Sequence, residues 1–207
     1  MTIIYLMRHS EPMKKQLGIE DTNDSILLKN IKTPLSISGE KLAEKISKNE
    51  EFYDIDTIWS SNYVRTMLTA KYFAYRNNLQ VNVSDKLGER IQGIKSWDEF
   101  PIDFEEHQFK DENYKIGFGE SRKETTTRLL DCLNTLLNKY RNKKILIVGH
   151  STAFAFLLST WCEINYSGPY KFKNKDFFDG NWNYCETFKL KFDNNNNLIN
   201  IENIKFD

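Results

Sequence analysis

Thr2-Ile3-Ile4-Tyr5-Leu6-Met7-Arg8-His9-Ser10-Glu11-Pro12 is the stretch that decides the fold. Ile3 to Met7 form an unbroken run of apolar and aromatic residues, and polarity switches abruptly at Arg8. A run that short, apolar on both faces, reads as a strand buried from both sides, as in a parallel sheet covered by helices. Its carboxyl end delivers Arg8 and His9 to the edge where open α/β sheets bind their ligands.

The pattern recurs downstream. Lys143-Lys144-Ile145-Leu146-Ile147-Val148-Gly149-His150-Ser151 is again a buried strand ending in His-Ser. Asp56-Thr57-Ile58-Trp59-Ser60-Ser61 is a weaker third instance, with Arg65 in the helix that follows. The histidines stand at 9, 107 and 150, so two of them end such strands. Taken singly, a strand-end imidazole is commonly a hydrogen-bonded loop residue, and Arg65 a surface helix residue. If the three strands are neighbours, however, His9, His150, Arg8 and Arg65 converge on one small volume. A cationic pocket of that kind suits a phosphate.

The remaining segments fit the same architecture. Ser36 or Ser38 caps a helix over 40–48, where Leu42, Ala43 and Ile46 share a face. A second helix over 63–76 offers Met67, Leu68, Ala70, Tyr72 and Phe73 to the core, and residues 79–83 alternate as a strand. Strand, helix, strand, helix, strand predicts βαβ units and a parallel sheet. Residues 11–34 read as a loop over the site, in which Lys14 and Lys15 are more simply a solvated pair than phosphate ligands. The long helix over 120–141 carries Leu129, Leu133, Leu136, Leu137 and Tyr140 on one side. A helix over 152–161 follows the His150 strand, and residues 165–182 read as irregular and aromatic. Phe188, Leu190 and Phe192 open a terminal hairpin, with its turn at 193–197 and its return over 198–206. The expectation is one domain over 1–207, a three-layer αβα sandwich with a mostly parallel central sheet and an antiparallel C-terminal hairpin. The mixed acidic and aromatic stretch at about 91–118 reads as an inserted lid.

Composition narrows the function classes. Lys plus Arg and Asp plus Glu number 29 each in 207 residues, so no global field draws nucleic acid or anionic lipid. No window approaches a membrane span, and the N-terminus lacks a signal-peptide pattern, which predicts a cytoplasmic protein. Cys132, Cys162 and Cys185 are odd in number and widely spaced, indicating neither a disulfide framework nor a zinc motif. No metal or other cofactor is expected.

Arg8-His9-Ser10-Glu11 resembles the Arg-His-Gly signature of the histidine phosphatase superfamily, in its phosphoglycerate-mutase-like branch. Leu35-Ser36-Ile37-Ser38-Gly39 with Ala43, and Ser60-Ser61-Asn62-Tyr63-Val64-Arg65-Thr66 with Thr69-Ala70, are similar to two further family segments. Leu87-Gly88-Glu89 with Gly93, Gly119-Glu120-Ser121 with Arg128, and Val148-Gly149-His150 resemble three more, in family order along nearly the whole chain. The resemblance implies a metal-independent phosphomonoesterase acting on a small phosphorylated substrate. His9 would attack phosphorus to give a phosphohistidine. Arg8, Arg65 and His150 would bind the phosphoryl oxygens. Glu89 would serve as general acid and base, against the plainer reading of a surface carboxylate paired with Arg90.

Two positions depart from the pattern. Ser10 stands where the family has glycine, either donating to phosphate or crowding the loop, and Lys15 stands where many members have asparagine. The chain is also short for a mutase. The alternatives are therefore a phosphoglycerate-mutase-type phosphotransferase and a non-catalytic module that binds a phosphorylated ligand. A serine-esterase reading of Gly149-His150-Ser151 fails because no histidine follows Ser151. The sequence leaves the substrate and the oligomeric state open.

Overall fold

The computed structural model describes residues 1–14 and 24–206. Its strands and α-helices are, in chain order, β1 Thr2–Arg8, α1 Ile26–Lys32, α2 Ile37–Ser47, β2 Thr57–Ser60, α3 Val64–Asn77, β3 Val81–Val83 and α4 Phe104–Lys110. Then come α5 Arg122–Lys139, β4 Lys144–Gly149, α6 Ser151–Leu158, β5 Glu163–Ile164, β6 Tyr170–Phe172, β7 Lys175–Phe178, β8 Thr187–Phe192 and β9 Leu198–Ile204. The main sheet runs β3-β2-β4-β1-β8-β9, with the first four strands parallel and β8–β9 joined antiparallel.

Side-chain alternation along β1 and β4 makes the layers. Ile4 and Leu6 point one way with Ile145 and Ile147, and pack against Leu129, Leu133 and Leu136 of α5 and Phe154 of α6. Tyr5 and Met7 point the other way with Leu146 and Val148, and pack against Ile46 of α2 and Phe73 of α3. Both faces are covered, which is why these strands are apolar without interruption. The result is the three-layer α/β architecture expected. β1 meets β4 with Arg8 opposite Gly149, and β2 meets β4 with Ser60 opposite Val148, so the three strand ends lie side by side.

Local chemistry sets the helix starts. Ser36, rather than Ser38, caps α2 by accepting from the Gly39 amide, and the helix begins at Ile37, three residues earlier than expected. Ser121 and Glu124 form a reciprocal capping box that starts α5 at Arg122. Of the apolar residues expected in the core from the second helix, Ala70 and Phe73 are fully buried, while Met67, Leu68 and Tyr72 are half-buried.

Three segments carry more regular structure than the sequence suggested. Within residues 11–34 lies α1, which buries no residue fully and so shows little amphipathic signal. Residues 91–118 contain α4, whose inward side is Phe104 and Gln108; a buried glutamine breaks the apolar period on which recognition rests. Residues 165–182 are not irregular throughout: they hold β6 and β7, which join β5 just before them in a separate antiparallel sheet. Its tight turn places Lys173 and Asn174 both at positive φ, the geometry of a two-residue hairpin loop. No helix among the described residues is long and apolar enough to cross a membrane.

One contact pins the loop after β1. The Ser36 amide donates to the Glu11 carbonyl at 3.0 Å, and an added Cβ on Gly39 would overlap that same oxygen. Gly39→Ala therefore forces backbone apart and is expected to cost about 2 kcal/mol or more, read as a lowered urea midpoint.

Candidate active site

Each candidate residue is placed by a strand end. Arg8 is the last residue of β1 and His9 the first beyond it; His150 follows β4 and caps α6; Arg65 lies in the first turn of α3, past β2. His9 is 6% exposed, Arg65 5% and His150 not at all. The two imidazole rings meet edge to face with centroids 5.4 Å apart.

Partners fix the hydrogens on both rings. His9 Nδ1 lies 2.7 Å from the Ser10 carbonyl, which only accepts, so Nδ1 carries the hydrogen. The lone pair of His9 Nε2 receives the Arg65 Nε–H at 3.0 Å. Arg65 Nη2 donates to His150 Nδ1 at 3.3 Å, so the His150 hydrogen sits on Nε2 and is donated to Ser61 Oγ at 2.9 Å. Ser61 then donates to Thr66 Oγ1 at 2.7 Å, and Thr66 to the Tyr63 carbonyl at 2.7 Å. Ser61 and Thr66 belong to a recognised motif, but their part in setting a tautomer is visible only once His150 is placed beside them.

The two guanidiniums are held differently. Arg65 stacks on Tyr63 at 4.7 Å and donates through Nη1 to the Asn30 carbonyl of α1 at 2.6 Å. Arg8 stacks on Tyr184 at 4.8 Å and donates through Nη1 to the Trp182 carbonyl, while its buried Nε has no partner. Burial lowers the pKa of both arginines, against the opposing field of Glu89. Burial also pushes His9 down to about 3, helped by the charge of Arg65. His150 is driven well below its ordinary value by burial, then by His9 and Arg65.

Glu89 reaches the same neighbourhood from the segment after β3. One of its oxygens accepts from the Ala153 amide in the first turn of α6 and from the Arg90 amide, each at 2.9 Å. It is not the ion-pair partner of Arg90, whose guanidinium binds Glu105 and Gln108 instead. Arg128 clamps the Glu89 segment by donating to the carbonyls of Lys86 at 2.8 Å and Gly88 at 3.1 Å, while a second fork grips Glu120. Glu120 in turn accepts from the Ile91 amide at 3.0 Å.

Ser10 is fully buried and neither donates into the cluster nor crowds it: its hydroxyl donates to the Gly39 carbonyl at 2.7 Å, and its amide to Thr69 Oγ1 at 3.0 Å. Lys14 is exposed, and Lys15 lies outside the described residues. His107 sits on α4 against Asp103 and Tyr114.

The family model described as histidine phosphatase superfamily (branch 1) matches residues 4–199. Phosphoserine phosphatase 1 of Hydrogenobacter thermophilus is 27% identical over 164 residues, covering 73% of this chain and 72% of that protein. A probable phosphoglycerate mutase GpmB of Yersinia pestis is 30% identical over 170 residues, covering 77% and 74%. Among solved structures, Bacillus stearothermophilus YhfR superposes with a TM-score of 0.68 at 18% identity, over 96% of this chain and 95% of that one, a likeness of fold.

The buried imidazoles carry a stability signature. Both are neutral when folded, with pKa values below the ordinary 6.5. As pH falls below about 6.5 the unfolded chain takes up protons that the folded chain refuses, so stability is full above that pH and lost on the way down towards the folded pKa. At pH 5 the His9 imidazole is expected to have cost about 2 kcal/mol relative to pH 7, and His150 adds a loss of the same sign. His9→Gln, which takes up no proton, should shrink the drop in urea midpoint between those two pH values.

Proposed function

The chain belongs to the histidine phosphatase superfamily, branch 1, and from that premise we propose that it is a metal-independent phosphomonoesterase working through a phosphohistidine on His9. The observation that carries the reading is the His9 Nε2 lone pair, fixed by the Nδ1–H bond to the Ser10 carbonyl and surrounded by Arg8, Arg65 and His150.

A phosphoryl group approaching Nε2 takes the place now held by the Arg65 Nε–H. The displaced guanidinium, with Arg8 and its unpartnered Nε, donates to the phosphoryl oxygens and offsets the charge that builds on them. His150 joins them if its hydrogen moves to Nδ1, which the Ser61 hydroxyl permits by turning its own hydrogen from Thr66 to Nε2. As the N–P bond forms, the bond to the leaving oxygen breaks, and Glu89 gives that oxygen its proton. The phosphohistidine keeps its Nδ1–H on the Ser10 carbonyl. Glu89, now a carboxylate, takes a proton from water as the water oxygen attacks phosphorus, and the N–P electron pair returns to Nε2. Residues 1–207 act as one domain in this reading, with 91–118 as the lid. A phosphoglycerate-mutase-type enzyme would return the phosphoryl group to substrate instead of water, and a binding module would stop before the first bond forms.

The test is release of inorganic phosphate from p-nitrophenyl phosphate in excess chelator. The protein should turn over unimpaired, and His9→Ala should lose about a thousandfold or more. Metal dependence, or full activity in His9→Ala, refutes the mechanism. Binding without turnover favours the module, and phosphate returned to an acceptor alcohol favours the mutase.

Arg128 is a positioning residue in the same scheme, because it holds the backbone that carries Glu89. Acid assistance matters only where the leaving group is poor. Arg128→Met should therefore lower kcat/KM about tenfold more for an alkyl phosphate than for p-nitrophenyl phosphate; equal losses would mean a merely structural clamp.

A further inference from the structure

The link from β7 to β8, residues 179–186, holds Arg8 at three points. The Arg8 amide donates to the Glu186 carbonyl at 2.9 Å, and its Nη1 donates to the Trp182 carbonyl. Its guanidinium carbon lies over the Tyr184 ring, 4.8 Å from the centre. Guanidinium N–H groups all lie in one plane, so a ring against the face restrains that plane and leaves the in-plane donors free. One of these donors is the buried Nε without a partner. The charges of Glu89 and Glu186 also act on Arg8. A guanidinium on a loose side chain would swing towards one of those carboxylates and away from a phosphoryl group.

The link is rigid on both sides of Tyr184. Trp182 donates through Nε1 to the Tyr170 hydroxyl at 3.1 Å, and its ring meets Phe178 and Phe188 edge to face at 5.4 and 5.1 Å. Glu186 is 5% exposed and accepts from the Asn183 amide at 3.2 Å, from Asn203 Nδ2 at 2.7 Å and from Lys205 Nζ at 2.8 Å. Tyr184 differs from Tyr63, the ring that carries Arg65. Tyr63 is 3% exposed and also packs on His150 at 4.5 Å, whereas Tyr184 is 39% exposed. A ring that open adds little to the core, and its contact with the guanidinium is what distinguishes it.

We propose that Tyr184 is a positioning residue for the phosphoryl site: its ring, with the Trp182 carbonyl, holds the Arg8 guanidinium in the plane from which Nε meets a phosphoryl oxygen. The assignment rests on the phosphatase reading, in which Arg8 binds that oxygen, and adds to it the group that aims Arg8.

The experiment measures affinity for inorganic phosphate by titration calorimetry, and kcat/KM for p-nitrophenyl phosphate, on full-length variants. Tyr184→Leu should weaken phosphate binding and lower kcat/KM about tenfold each, with a urea midpoint close to the parent's. Tyr184→Phe keeps the ring and should stay within about twofold of the parent in both. In an Arg8→Met background, Tyr184→Leu should add less than about twofold, because the ring then has no guanidinium to hold. A merely structural ring would give losses that multiply in that background, and this result overturns the assignment. So does a Tyr184→Leu protein that matches the parent, or a Tyr184→Phe protein as weak as Tyr184→Leu. Each of these outcomes leaves the phosphatase reading intact. A parent that binds phosphate without turnover overturns the phosphatase reading alone, since the binding comparison still decides the role of Tyr184. A parent that neither binds phosphate nor turns over overturns both.

Discussion

The cluster depends on one guanidinium placed between two imidazoles. Arg65 donates to His9 through Nε and to His150 through Nη2, so a single buried cation occupies the lone pair of one ring and sets the tautomer of the other. The cost is high, since a buried charge loses its hydration. Stacking on Tyr63, the Asn30 carbonyl and the field of Glu89 offset part of it. Burial, reinforced by that cation's charge, keeps both rings neutral.

The fold makes such a cluster possible because parallel strands end together. Arg8, Gly149 and Ser60 lie at the same edge of the sheet, and the residues just beyond them turn into loops and helix starts instead of continuing as strand. Glu89 comes from a different direction and needs separate support. The Ala153 amide receives its carboxylate, and Arg128 with Glu120 fixes the backbone beneath it. Thus the sheet locates four of the five residues, and the long helix α5, through Arg128, locates the fifth.

These two modes of support account for what the sequence reveals. β1 and β4 are readable because burial on both faces demands continuous apolar runs, and His9 and His150 are readable because they interrupt those runs at the same point. Arg65 and Glu89 become readable through the spacing of motifs around them. The carbonyls of Asn30 and Trp182 leave no trace, because any residue type supplies a carbonyl and only the tertiary arrangement aims it. α4 is hidden by the buried Gln108, which is stabilised by the Arg90 guanidinium and by the carbonyls of Tyr114 and Glu120, none of them apolar. The β6–β7 turn uses Lys173 and Asn174 at positive φ, and lysine there gives a weaker signal than glycine would.

Ser10 and Gly39 form a clasp between the loop that leaves β1 and the neighbouring helix α2. The serine hydroxyl closes on the Gly39 carbonyl, and the missing side chain of Gly39 lets the Glu11 backbone come close enough for that closure. A glycine at 10 would take the hydroxyl away from that carbonyl, and a side chain at 39 would drive the Glu11 backbone off and carry the hydroxyl out of range, so either change alone loosens the seam between β1's loop and α2.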